Sequence, residues 1–144
     1  MQCLRNITRV LLPPLALALA APAAAAPASI QGLWLNDDHK GLIQIAPCGG
    51  KLCGTIVKVL DRAPNAPKTD IHNPDPALRN RPFVGLPVLT GFEGSGGSWK
   101  NGRAYDPESG KSYRSYLELQ PDGSLKVSGC ILFVCQSKRW TRAR

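Results

Sequence analysis

Between residues 30 and 142 the apolar positions come in short bursts separated by clusters of Gly, Pro, Asn and Asp, and no stretch sustains a helical period. That pattern predicts an all-β domain of eight strands, over residues 30–36, 41–46, 52–60, 83–92, 98–105, 112–120, 125–130 and 136–142. The sixth alternates most cleanly, with Tyr113, Ser115, Leu117 and Leu119 on one face and Arg114, Tyr116, Glu118 and Gln120 on the other. Turn chemistry fills the gaps: Asn36 to Lys40, Pro47-Cys48-Gly49-Gly50, Asp106 to Gly110, and Pro121-Asp122-Gly123 suit hairpins. One connection, residues 61–82, is too long and proline-broken for a hairpin. It is expected to hold a single helical turn near residues 73–80, with Asn73 as N-cap and Pro74 as first helical residue.

Eight sequential antiparallel strands leave two open edges unless the sheet closes, and closure sets the first strand beside the last. The expected fold is therefore a single-domain, eight-stranded antiparallel up-and-down barrel. Closure also explains a tryptophan so near the start of the domain. Trp34 is expected to plug one barrel end, held by the last strand, where Arg139, Trp140 and Arg142 are the candidate partners. Successive connections then alternate between ends. The plugged end takes residues 47–51, 93–98 and 121–123. The open rim takes Asp37-Asp38-His39, the long loop, residues 106–110 and the turn between Cys130 and Cys135.

The first residues change the picture of where this barrel resides. Arg5 and Arg9, an apolar run over residues 10–20 and small residues with A-x-A spacing form a secretory signal peptide over residues 1–26, with cleavage expected between Ala24 and Ala28. The run is too short and proline-broken to span a membrane as a helix. Residues 27–144 are then the barrel domain, in the periplasm or outside the cell. The leader removes two arginines, so the formal charge falls from +8 to +6. A basic secreted chain suits anionic envelope components, while nucleic acid is scarce in that compartment and is not an expected partner.

An oxidising compartment makes the four cysteines of the domain a disulfide question with three possible connectivities. Sorting by barrel end decides it: Cys48 and Cys53 belong to the plugged end, Cys130 and Cys135 to the open rim, and a disulfide needs its Cα atoms within about 7 Å. Cys48–Cys53 and Cys130–Cys135 are the expected pairs. Zinc is the weaker reading, because structural zinc favours a C-x2-C spacing.

Candidate chemistry is sparse. The Gly110-Lys111-Ser112 triplet fails as a phosphate loop, since Tyr105 stands where the first glycine belongs and no helix follows. "GSGGS" is not a nucleophile elbow. Two histidines and scattered acids supply no triad, zinc-protease helix or paired-carboxylate spacing, so no enzymatic activity, metal or cofactor is expected. An enzyme would have to work through His39 or His72 with neighbouring aspartates. Only Tyr113 and Tyr116 lie close together, on opposite faces, so a base-stacking platform is missing too. What remains is the rim: Asp37, Asp38, His39, Asp70, His72, Asn73, Asp106 and Tyr113 are the candidate ligand-orienting residues. For Asp70 and Asn73 the plainer account is that they fix their own loop by hydrogen bonds.

Several segments are shared with a known group: Gly32-Leu33-Trp34, Leu52-Cys53-Gly54-Thr55-Ile56, Asp70 with Asn73-Pro74, Arg81-Pro82 with Gly85, Trp99 to Gly102, Tyr105-Asp106-Pro107, Gly110-Lys111-Ser112-Tyr113 and Trp140-Thr141-Arg142. On these the chain resembles the small secreted bacterial proteins of domain-of-unknown-function family 2147. That resemblance implies a fold and a compartment rather than a reaction. The Gly-x-Trp start and the late arginine are also similar to lipocalin and calycin barrels, which implies a small apolar ligand. The expected function is binding of a small, partly apolar molecule at the open rim, with Gly54, Ser115 and Gly129 leaving room inside. The alternative is a filled barrel that meets anionic envelope surfaces through Lys138, Arg139, Arg142 and Arg144.

Overall fold

The computed structural model describes residues 28–60 and 63–144, so the expected leader lies outside the described residues. Eight strands follow in chain order: β1 (Gly32–Leu35), β2 (Gly41–Cys48), β3 (Lys51–Val59), β4 (Pro87–Ser95), β5 (Ser98–Asp106), β6 (Lys111–Leu119), β7 (Leu125–Ile131) and β8 (Val134–Arg142). Each pairs antiparallel with its neighbour and β8 returns to β1, closing the barrel. The closing seam is short, Trp34 opposite Arg142 and Leu35 opposite Thr141.

Local chemistry explains most strand ends. Asn36 turns the chain between β1 and β2 by accepting the Gly41 amide on its side chain at 2.9 Å. Gly49 and Gly50 both take positive φ in the next turn, as does Gly110 between β5 and β6. Gly110 has a second reason: a Cβ there would lie 1.9 Å from the His72 carbonyl oxygen, so the long loop packs directly on this turn.

Three expectations need correction. Residues 83–86 are not strand. Phe83 and Leu86 are buried, and the segment clips onto β3 through the Gly85 amide to the Ile56 carbonyl (2.7 Å) and the Ile56 amide to the Leu86 carbonyl (3.0 Å). Gly85, at φ +93, breaks the extended run that its apolar neighbours suggest. The helical turn is a 3-10 turn at Pro76–Leu78 capped by Asp75, whose carboxylate accepts the Ala77 amide. Asn73 instead accepts the amide of Asp75, two residues further along the chain, and Pro76 is the first helical residue. Finally, the turn expected between Cys130 and Cys135 is tighter than that, because both strands run further. β7 and β8 stay paired through Cys130 opposite Cys135 and Ile131 opposite Val134, leaving only Leu132 and Phe133 at the tip.

The disulfides are Cys48–Cys53 and Cys130–Cys135, one at each end of the barrel. Among the described residues, no helix is long and apolar enough to cross a membrane.

Candidate functional site

The barrel interior divides into a packed base and an open upper half. At the base Trp34 is fully buried, and its indole N–H donates to the Ile30 carbonyl at 2.8 Å. The Arg142 guanidinium lies 4.4 Å from the Trp34 ring centroid and donates to the Gln31 and Ser29 carbonyls, both at 3.0 Å. One arginine thus stacks on the plug and ties the incoming chain across it. Arg139 does not share this role; it faces outward and pairs with Asp122. Trp140 is buried one inward position along from Arg142 and forms part of the wall above.

Above the plug Phe92, Trp99, Leu117 and Leu125 fill the base. Two glycines make this packing possible, though not by leaving space. A Cβ on Gly102 would lie 2.4 Å from the Phe92 ring, and one on Gly54 would lie 3.0 Å from Leu89. The room expected at Gly54 is therefore taken by its neighbours, whereas Gly129 does border open space.

The upper half encloses a cavity of about 810 Å³ that opens at the rim. Its wall is apolar, with Ile43, Ile56, Val59, Phe83, Val88, Ala104, Val127 and Trp140, and Tyr113 faces it beside Gly129. Its mouth is polar, with Asp37, Asp38, Lys40, Asp106, Glu108, Gln136 and Lys138. Asp37 pairs with Lys138 at 3.3 Å and Asp38 with Lys40 at 3.5 Å. Burial pulls the Lys138 ammonium down, but Asp37, with Asp106 and Asp38 behind it, outweighs that and holds its pKa above the ordinary lysine value. Asp106 is occupied by its own turn, accepting the Glu108 amide at 3.0 Å and the Ser109 hydroxyl at 2.6 Å.

Of the eight rim candidates, Asp37, Asp38, Asp106 and Tyr113 come together around this cavity and four do not. His39 sits exposed at the turn tip with φ +60, and His72 is exposed on the long loop with its carbonyl against Gly110. Asp70 and Asn73 are buried away from the mouth. There Asp70 accepts hydrogen bonds from the Tyr105 hydroxyl (2.6 Å), the Asn73 amide (2.7 Å) and the Arg81 guanidinium (3.0 Å). Burial raises the Asp70 carboxyl, but these three donors outweigh it and hold the pKa below its ordinary value; burial and then Asp70 push the Tyr105 hydroxyl up to about 12. This cluster fastens the long loop to β5.

Among the described residues, no three His, Cys, Asp or Glu side chains are grouped as a metal site requires. The wall residues went unnamed as a site because each reads as ordinary core. Their signal is positional: they are the inward-facing residues of the strand halves nearest the rim.

The family model for uncharacterized proteins conserved in bacteria (DUF2147) matches residues 32–142. The chain belongs to this family. No curated protein matches it. Among solved structures, protein HP1028 from the human pathogen Helicobacter pylori, described as belonging to the lipocalin family, is similar with a TM-score of 0.71. The two are 22% identical, and the match covers 81% of this chain and 84% of HP1028. That likeness is one of fold: this DUF2147 chain has the closed barrel of a lipocalin-like protein.

Proposed function

We propose that this DUF2147 protein is a non-enzymatic, extracytoplasmic carrier barrel that holds one small, partly apolar molecule with its apolar body inside and its polar end at the rim. The observation that carries this reading is the 810 Å³ cavity, within the roughly 300–1,000 Å³ range of small-molecule sites, lined by apolar walls below a polar mouth. Eight-stranded barrels of the lipocalin kind hold one small ligand in this space. The two disulfides favour an oxidising compartment.

The filled-barrel alternative loses its two supports. The interior is not filled, and three of its four cations are engaged within the chain: Lys138 with Asp37, Arg139 with Asp122, and Arg142 with the plug.

Titration with a fluorescent fatty acid tests the reading, with native mass spectrometry giving stoichiometry. One molecule is expected to bind per chain. Ala104→Trp, which places an indole in the upper cavity, is expected to weaken binding at least about tenfold while circular dichroism stays unchanged. Binding that is absent in the wild type, or equal in this variant, overturns the cavity as the site.

A further inference from the structure

The β7–β8 hairpin ends in four consecutive apolar residues, Ile131-Leu132-Phe133-Val134, which are 59%, 78%, 99% and 70% exposed. A soluble surface gains nothing from such a tip, and apolar patches of this kind mark interaction sites. The tip is also built to keep its shape. The Cys130–Cys135 disulfide ties its base one pair below the turn. Leu132 takes φ +53, a left-handed position where glycine or asparagine is the unstrained choice. A leucine there, next to a phenylalanine that is almost wholly exposed, indicates that apolar character matters more at this turn than backbone comfort.

Chemistry beside the tip says what covers it. On the outer face of the barrel Arg103 is opposite Arg114, and Arg114 is opposite Cys130, so two guanidiniums stand in a row beneath the hairpin. One Arg114 nitrogen lies 3.5 Å from the Leu132 carbonyl oxygen, directly under the turn. Among the described residues neither arginine has an acidic partner. An apolar wedge with arginines lacking acidic partners one step behind it matches the layering of a phospholipid surface, acyl chains beneath phosphates. A protein pocket would supply the apolar half but has no comparable reason to place phosphate-like charge at that depth.

We infer that the Ile131–Val134 hairpin tip inserts into the interfacial layer of a phospholipid membrane, with Arg114 and Arg103 meeting the lipid phosphates. All four tip residues also border the cavity mouth, so docking brings the mouth to the lipid surface. This goes beyond the cavity reading and rests on the exposed tip and the outer-face arginines rather than on what the interior holds, so vesicle flotation and fatty-acid titration can fail independently.

Flotation of the full protein with vesicles of phosphatidylethanolamine and phosphatidylglycerol tests it. The wild type is expected to float with the vesicles. Leu132→Asn combined with Phe133→Ser keeps the turn geometry and is expected to reduce binding about tenfold or more, the loss of one buried apolar side chain already being worth that. Arg114→Gln is expected to reduce it several-fold and to flatten the salt dependence. Circular dichroism and the thermal unfolding midpoint should be unchanged in all of these, showing that the barrel is intact. A Phe133→Trp variant adds an independent readout, because Trp34, Trp99 and Trp140 are buried and a blue shift on adding vesicles would come from the tip. The inference is overturned if the wild type does not float, which would point the tip at a protein receptor, or if the double variant floats as well as the wild type.

Discussion

The base and the mouth of this barrel are made from the same eight strands, yet one is solid and the other hollow. At the base the inward positions carry large rings and leucines, Trp34, Phe92, Trp99, Leu117 and Leu125, and glycines at 54 and 102 let their neighbours close the gaps. Near the rim the inward positions carry Ile43, Val88, Ala104, Val127 and Gly129, which are too small to meet across the same diameter. Strand number sets the width of a barrel, and side-chain volume alone decides whether that width is filled. The contrast suggests a division of labour in which stability is concentrated at the base and the mouth is left available.

The sharpest way to break this contrast is Trp34→Ala. Removing the plug should destabilise the fold by about 4 kcal/mol in urea unfolding, since it opens a cavity in packed core and leaves the Arg142 guanidinium without its ring. A loss below about 1 kcal/mol would deny the base its special role.

Asp70→Asn addresses the clamp on the long loop and should cost about 2 kcal/mol at neutral pH by weakening the hydrogen bonds that Tyr105, Asn73 and Arg81 donate to a fully buried carboxylate. The pH dependence has a definite sign. The folded-state pKa of Asp70 is lowered from 3.8, so its contribution is fully present above that unfolded value and is lost as pH falls through the lower folded value. Thermal unfolding scans should show a steep acid limb below about pH 4 in the wild type and a shallower one in the variant. Identical limbs would remove Asp70 from the account.

The smallest effect is expected from the mouth. Val127→Ala enlarges a space that is already open, so stability should fall by only about 1 kcal/mol while fatty-acid affinity changes measurably. A loss as large as that at Trp34 would show that the mouth is as structural as the base.

Much of the architecture was legible in residue order. The alternation in Tyr113 to Leu119 and the Gly, Asn and Asp turn clusters specify eight antiparallel strands. Closure then follows from the need to cover edges, and the pairing of Cys48 with Cys53 and Cys130 with Cys135 follows from which end each turn occupies. Local signals misled where a longer-range contact won: Phe83 to Leu86 reads as strand but is drawn over β3, and Asn73 reads as a helix cap but its amide serves Asp70.

The candidate site was legible only in part, because proximity at a rim depends on which way each loop folds back. Asp37, Asp38, Asp106 and Tyr113 sit on or beside short turns whose end of the barrel is set by strand count, and they reach the mouth. Asp70, His72 and Asn73 sit on the long loop, which folds down against Tyr105 and Gly110 and takes them elsewhere. Residue order by itself thus determined strand number, closure, the end at which each turn lies and the disulfide partners, all of which depend on local periodicity and counting. Only the tertiary structure decided that side chains do not fill the upper interior and that Phe133 is left exposed at the hairpin tip, because both depend on how side chains from several strands share one space, which no single strand encodes.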